Sequence, residues 1–193
     1  MRKQLRIQLY PTLIYDVECP ELIDDVLKEF SKVKWKDDWA NINDTVFTLS
    51  NNKTLVKKIE NVVNETLSEI KYTVPLKMST SWFTRIPPGD VGRNHYHTNS
   101  FYSGIFYFQD FNSNLVVSKQ NPQIHVPFKT KDFGLVSSGD VALKAEKGHM
   151  ILIPGDIRHW VEQNTNNRDR HSLAMNFMPK GFCHAEDSSY NYK

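Results

Sequence analysis

Two histidines two residues apart, His95 and His97 in the stretch RNHYHTNSFYSG, stand out in a chain that carries 7 histidines among 193 residues. Side chains at i and i+2 of a strand point to one face, so a strand through this stretch brings both imidazoles to the same wall. A third group is then needed to complete a metal site. The stretch HMILIPGDIRHWVEQ supplies one: an apolar strand ends at Pro154-Gly155, and a tight turn delivers His159 to the start of the next strand. Imidazoles from two strands suit Fe(II), Zn(II) or Cu(II). Asp90, Asp110 and Asp156 are the carboxylates that could join them, and Asp156, in the turn before His159, is the best placed.

The polar turn NTNNRD leads into RHSLAMNF, where Arg170 and Ser172 share a face and the alternation continues through Ala174 and Asn176. A guanidinium fork beside a hydroxyl fits a carboxylate. A metal next to a carboxylate receptor is what a 2-oxo acid needs. Its oxo group and near carboxylate chelate the metal, while its far carboxylate takes the arginine. Tyr102 and Tyr107, on the strand after the histidine pair, could reach such a ligand or serve as packing, and Asn176 is open in the same way. His125, His149, His171 and His184 lack partners at ligand spacing and read as structural.

The elements that must position these residues fall into two parts. Leu22, Ile23, Val26, Leu27 and Phe30 have helical spacing, as do Leu55, Ile59, Val62, Val63, Thr66, Leu67 and Ile70 after Asn51-Asn52. Before them, QLRIQLYPTLIYDV alternates around Pro11 like a broken edge strand. From residue 76 onward the character changes. LKMSTSWFTRI, FYSGIFYFQD, NLVVSK, IHVPF, DVALKA, HMILIP, RHWVEQ and HSLAMNFMP read as short strands separated by Gly-, Pro- and Asn-rich turns. This is the pattern of a sandwich or barrel with helices segregated at the N-terminus, an α+β domain. One domain over 1–193 is expected: strand and helices in 1–75, a β core in 76–180 and a tail in 181–193.

Together, TSWFTRIPPGD, HYHTNSFYSGIFYF, KGHMILIPGDIRHWVEQ and RHSLAMNF resemble the 2-oxoglutarate- and Fe(II)-dependent oxygenases, in their small bacterial and phage branch. The likeness covers about half of the chain. Its spacing is specific: His-x-His, 5 residues, Ser-Gly, then Pro-x-x-x-x-His, then Arg-x-Ser 11 residues after that histidine. The resemblance implies a double-stranded β-helix (jelly roll) core with the N-terminal helices packed on one face. It implies metal ligands from the second and seventh strands of that core, with the arginine on the eighth. Fe(II) on His95, His97 and His159 is implied, as is 2-oxoglutarate on Arg170, with Ser172, Tyr107, Tyr102 and Asn176 around it. The implied reaction couples decarboxylation of 2-oxoglutarate to succinate, using O2, with hydroxylation of a C–H bond in a peptidyl side chain or small metabolite.

One departure matters. The superfamily's usual triad is His-x-Asp/Glu…His, and here His97 stands where the carboxylate belongs, as it often does in this branch. Three neutral imidazoles leave an Fe(II) site one unit more positive than that triad would. Two other readings therefore stay open: a jelly roll that binds without turnover, and a three-histidine cupin-like dioxygenase without a cosubstrate. Arg170 and Ser172 speak against the second, whose mechanism needs no further carboxylate site.

Composition excludes several classes. Charged residues are 24% and hydrophobic ones 39%, a soluble globular balance. With 24 basic and 22 acidic residues and neither half a basic arm, no nucleic-acid surface is signalled. Cys19 and Cys183 form no metal or disulfide pattern and read as reduced thiols. The start, MRKQLRIQLYPTLIYDV, holds no long apolar run, so no membrane span is read and the cytoplasm is the default. A homodimer is one arrangement the sequence allows.

Overall fold

The structure, a computed structural model, describes residues 12–36, 42–118, 139–183 and 190–192. The strand expected at 124–128, the part of the N-terminal strand up to Pro11, and His125 and His184 lie outside the described residues.

Strand β1 (Tyr15–Glu18) leads through a 3-10 turn at Pro20–Leu22 into helix α1 (Ile23–Phe30). Asp24 and Asp25 occupy its first turn, where the helix dipole favours them. Helix α2 (Lys53–Thr66) begins where Asn52 accepts a hydrogen bond from Leu55 N through its side chain, an N-cap. The four-residue spacing of Leu55, Ile59 and Val63 makes its apolar stripe, which Leu67 continues just past its end, and all four are buried.

The strands that follow are β2 (Leu76–Ile86), β3 (Tyr102–Phe106), β4 (Leu115–Ser118), β5 (Asp140–Leu143), β6 (His149–Pro154), β7 (Arg158–Val161) and β8 (Arg170–Pro179). The short pair β9 (Gly181–Cys183) and β10 (Tyr190–Tyr192) forms an antiparallel ladder in what the sequence suggested was a tail. One antiparallel sheet has the order β1-β6-β3-β8-β2, and a second the order β5-β4-β7. Alternate residues of the larger sheet enter different core clusters. Phe83, Met150, Leu152, Leu173, Met175 and Phe177 join Val26, Leu55, Ile59 and Val63 of the helices. Ile105, Ile151 and Ile153 instead meet Leu115 and Val117 of β4. The residues of β8 left between the two sheets are Arg170, Ser172, Ala174 and Asn176, polar but for the alanine.

A bulge in β2 sets which of its residues join them. Met78 lies opposite Phe177, but Thr80 lies opposite Asn176, so one extra residue intervenes on β2. Before the bulge, Leu76 and Met78 belong to the cluster with the helices. After it, Thr80, Trp82 and Thr84 sit opposite Asn176, Ala174 and Ser172. A single-residue slip exchanges the two faces of a strand, and here it turns these three side chains toward the inner face.

The histidine pair is not on a sheet strand, contrary to expectation. β3 starts only at Tyr102, and the chain turns at Thr98-Asn99, with Asn99 at φ 56°. Residues 92–97 are extended and lie along β7 instead. Gly92 N donates to Val161 O (2.9 Å), and His95 N and His159 N donate to each other's carbonyls (3.0 and 2.8 Å). His97 N donates to Gly155 O in the β6–β7 turn (2.9 Å). Two glycines make this approach sterically feasible. A Cβ on Gly92 would come 2.7 Å from Val161 Cβ, and one on Gly155 would come 2.0 Å from Ser100 O.

Gly155→Ala must therefore push the 97–100 segment off the turn. Thermal denaturation should show a loss of about 1–3 kcal/mol, the range for overpacking. Unchanged stability would mean that this contact does not hold the segment.

Candidate active site

The docked segment and β7 bring His95, His97 and His159 together, with ligand atoms that all lie within 4.8 Å of one another. His95 Nε2 and His97 Nε2 are 3.1 Å apart. Each ring is oriented through its other nitrogen. His95 Nδ1 donates to Arg93 O (2.8 Å) and His159 Nδ1 to Ile157 O (3.0 Å). His97 Nδ1 donates to Asn176 Oδ1 (2.6 Å), with Ser103 Oγ 2.8 Å away. All three Nδ1 atoms thus carry hydrogen, so in each neutral ring Nε2 is the free acceptor. Between His95 and His97, two neutral rings would set their lone pairs against each other, a conflict that a shared cation resolves.

Burial supports the same state. His159 is 5% exposed, and desolvation pushes its pKa down to about 3 against the backbone hydrogen bond to Ile157. Desolvation also lowers that of His97. Neutral imidazoles are the form that binds metal. Among the described residues no carboxylate joins the group. Asp90, Asp110 and Asp156 are exposed, and Asp156 lines a separate hollow with Tyr72, Phe101 and Tyr102.

The three histidines open into a cavity of about 520 Å³ between the two sheets. Ser172 and Ala174 of β8 line it, as do Trp82 and Thr84 of β2. Ser172 Oγ is 2.7 Å from Thr84 Oγ1, and either can donate. Ile105, Leu115 and Val161 make apolar wall, while Val91, at 61% exposed, marks the open side.

Arg170 shares the face of β8 that bears Ser172, but it is not itself part of the cavity lining. It is fully buried, and its guanidinium carbon is 5.2 Å from the Tyr107 ring centre and 5.7 Å from that of Phe111. Among the described residues none of its guanidinium nitrogens has a well-formed hydrogen bond, and the buried Tyr107 hydroxyl interacts with the guanidinium without closing one of good geometry. A buried cation with unmet donors is costly, and a carboxylate meets that need. The donor set thus fits a divalent metal, and the orphaned fork fits one end of a dianion.

The other residues singled out in the sequence fall differently. Tyr102 belongs to the cluster with the helices, on the face of β3 away from Arg170. Five positions separate it from Tyr107, so alternation cannot bring both to one side. Asn176 is engaged by His97, Ser103 and Thr80. His171, packed on Phe30 and Trp35, faces away from the site. Thr80, Trp82, Thr84 and Ser103 were not foreseen. The bulge hid the first three, and a lone serine in an apolar run gave no signal for the last.

Residues 80–176, half of the chain, match the protein family described as "Putative 2OG-Fe(II) oxygenase". No match was found among curated proteins. Solved structures share the fold at low identity. A 2OG-Fe(II) oxygenase family oxidoreductase from Burkholderia pseudomallei is 9% identical with a TM-score of 0.62, covering 85% of this chain and 83% of that one. A Pseudomonas putida prolyl-4-hydroxylase is 12% identical with a TM-score of 0.54, covering 88% and 94%. HygX from Streptomyces hygroscopicus, with nickel, 2-oxoglutarate and hygromycin B bound, is 13% identical with a TM-score of 0.56, covering 87% and 83%.

The lowered histidine pKa values give the pH dependence a definite sign. In the unfolded chain histidines titrate near about 6.5, so below that pH the unfolded state takes up more protons. Stability of the metal-free protein should be complete above pH ~6.5 and fall as the pH drops toward ~3. Denaturation midpoints from pH 8 to 5 check this, with His159→Gln expected to shrink the decline below pH ~6.5. A midpoint flat across that range in the parent protein would contradict it.

Proposed function

The chain belongs to the 2OG-Fe(II) oxygenase family, and we propose that it is a hydroxylase with Fe(II) on His95, His97 and His159 and the far carboxylate of 2-oxoglutarate on Arg170. One observation carries this reading. Three Nε2 acceptors converge on a cavity whose floor strand also bears a fully buried arginine without a well-formed hydrogen bond among the described residues. A cupin-like site without a cosubstrate has no use for that arginine. The bound metal would supply the oxidative chemistry, in which O2 and 2-oxoglutarate yield succinate, CO2 and a hydroxylated substrate.

The protein's own residues bind, orient and exclude water. Arg170 offers a planar fork for two parallel hydrogen bonds, with its guanidinium carbon over the rings of Tyr107 and Phe111. The Tyr107 hydroxyl and the Ser172–Thr84 pair are the further donors for that carboxylate. Ile105, Leu115 and Val161 keep the interior dry, which strengthens each of these contacts. Because the three imidazoles are neutral, the 2-oxo acid dianion balances the charge of the metal, a task a ligand carboxylate shares in the usual triad.

The substrate side combines an apolar wall with the polar residues Arg85, Arg93 and Asn94. Trp82, whose ring centre is 5.5 Å from that of His97, lines the cavity with Ile42, Val91 and Trp160. We read this as a wall for an apolar C–H-bearing group, from a peptidyl side chain or a small metabolite. The jelly roll, with its N-terminal helices on the sheet face away from the cavity, is read as one domain that serves as the rigid frame.

Arg170→Lys replaces the fork by a point charge. It should weaken 2-oxoglutarate binding by roughly 1.5–3 kcal/mol, the range for hydrogen bonds to charged groups. Binding of Co(II) alone should stay nearly unchanged. Anaerobic calorimetry of both ligands checks this, and equal losses, or none, would count against separate metal and carboxylate sites.

A further inference from the structure

Resting on that reading of the metal site, we propose that Asn176 is the positioning residue for His97, holding it as a metal ligand through a polar rung across three strands. Thr80 of β2, Asn176 of β8 and Ser103 of β3 are cross-strand partners in register. Asn176 Nδ2 donates to Thr80 Oγ1 (3.0 Å), which turns the amide oxygen toward the site. That oxygen accepts from His97 Nδ1 (2.6 Å) and from Ser103 Oγ (2.9 Å). Ser103 Oγ is in turn 3.1 Å from Ser100 Oγ.

The rung answers a problem peculiar to this site. His97 ends the docked segment, and among the described residues its own backbone N–H is tied to Gly155 O in a turn outside the sheets. An imidazole on such a segment can rotate and can carry its proton on either nitrogen. The rung removes both freedoms by fixing the ring to the central strands of the five-stranded sheet and keeping hydrogen on Nδ1. The bulge in β2 belongs to the same device, because without it Thr80 would not face Asn176. A carboxylate at position 97 would have no proton to offer, and the amide oxygen would repel it. Position 97 is thus furnished for histidine, which marks the three-histidine set as a constructed site and not as a decayed carboxylate triad.

The test uses Co(II), whose visible absorption reports ligand number and geometry. In the full chain, Asn176→Leu should lower Co(II) affinity roughly 10–100-fold and alter the spectrum. Asn176→Asp still accepts from Nδ1 and should restore both to near the parent values. Thr80→Val, isosteric and outside the ligand set, should give a smaller loss in the same direction, and it decides the matter if Asn176→Leu does not fold. A parent protein that binds Co(II) with Asn176→Leu or Thr80→Val indistinguishable from it would overturn the proposal and leave the metal site standing. A parent protein that binds no Co(II) would overturn the site, and the proposal with it.

Discussion

Everything at this site depends on the antiparallel docking of residues 92–97 against β7. The reciprocal bonds between the His95 and His159 backbones carry two imidazoles to one place without either lying on a long shared strand. The same docking places His97 over the β6–β7 turn. Its geometric condition is the absence of Cβ atoms at Gly92 and Gly155, where the chains come too close for any side chain. Ligand placement tolerates errors of only about 0.2 Å, so a segment outside the sheets needs such ties.

Charge explains the rest of the arrangement. The histidines bring no charge to the metal position, their Nδ1 partners are neutral oxygens, and Arg170 is a buried cation. Among the described residues no carboxylate approaches the three histidines. The neutral ligand set in the cavity and the buried guanidinium outside its lining both favour negative charge, and a dianion that reached both would supply it. The aromatic rings of Tyr107 and Phe111 lie against the Arg170 guanidinium and stabilise its charge.

Much of this was legible in the residues, and the reasons for the remainder are local. The alternation from Arg170 through Ser172 to Asn176 is a property of any regular strand, so their common face followed from spacing alone. The stripes of α1 and α2 followed in the same way. The spacing between His97, His159 and Arg170 carried the family. By contrast, the bulge in β2 leaves no mark in composition, and it reverses the facing of Thr80, Trp82 and Thr84. The segment around His95 and His97 reads as a strand from the two-residue spacing of its histidines, and it lies extended along β7 outside the sheets. Tyr102 was grouped with Tyr107 by residue type when their five-position separation opposes them. Asn176 was read toward the cosubstrate, while its carbonyl is directed at His97, a distinction that depends on Thr80 across the sheet.

The central claim is that three imidazoles, with no carboxylate, hold the metal. An anaerobic crystal structure of the chain with Fe(II) and 2-oxoglutarate tests it most directly. The account expects Nε2 of His95, His97 and His159 on the iron and the far carboxylate of 2-oxoglutarate on Arg170. Iron bound by Asp156, or with His97 swung away, would contradict it.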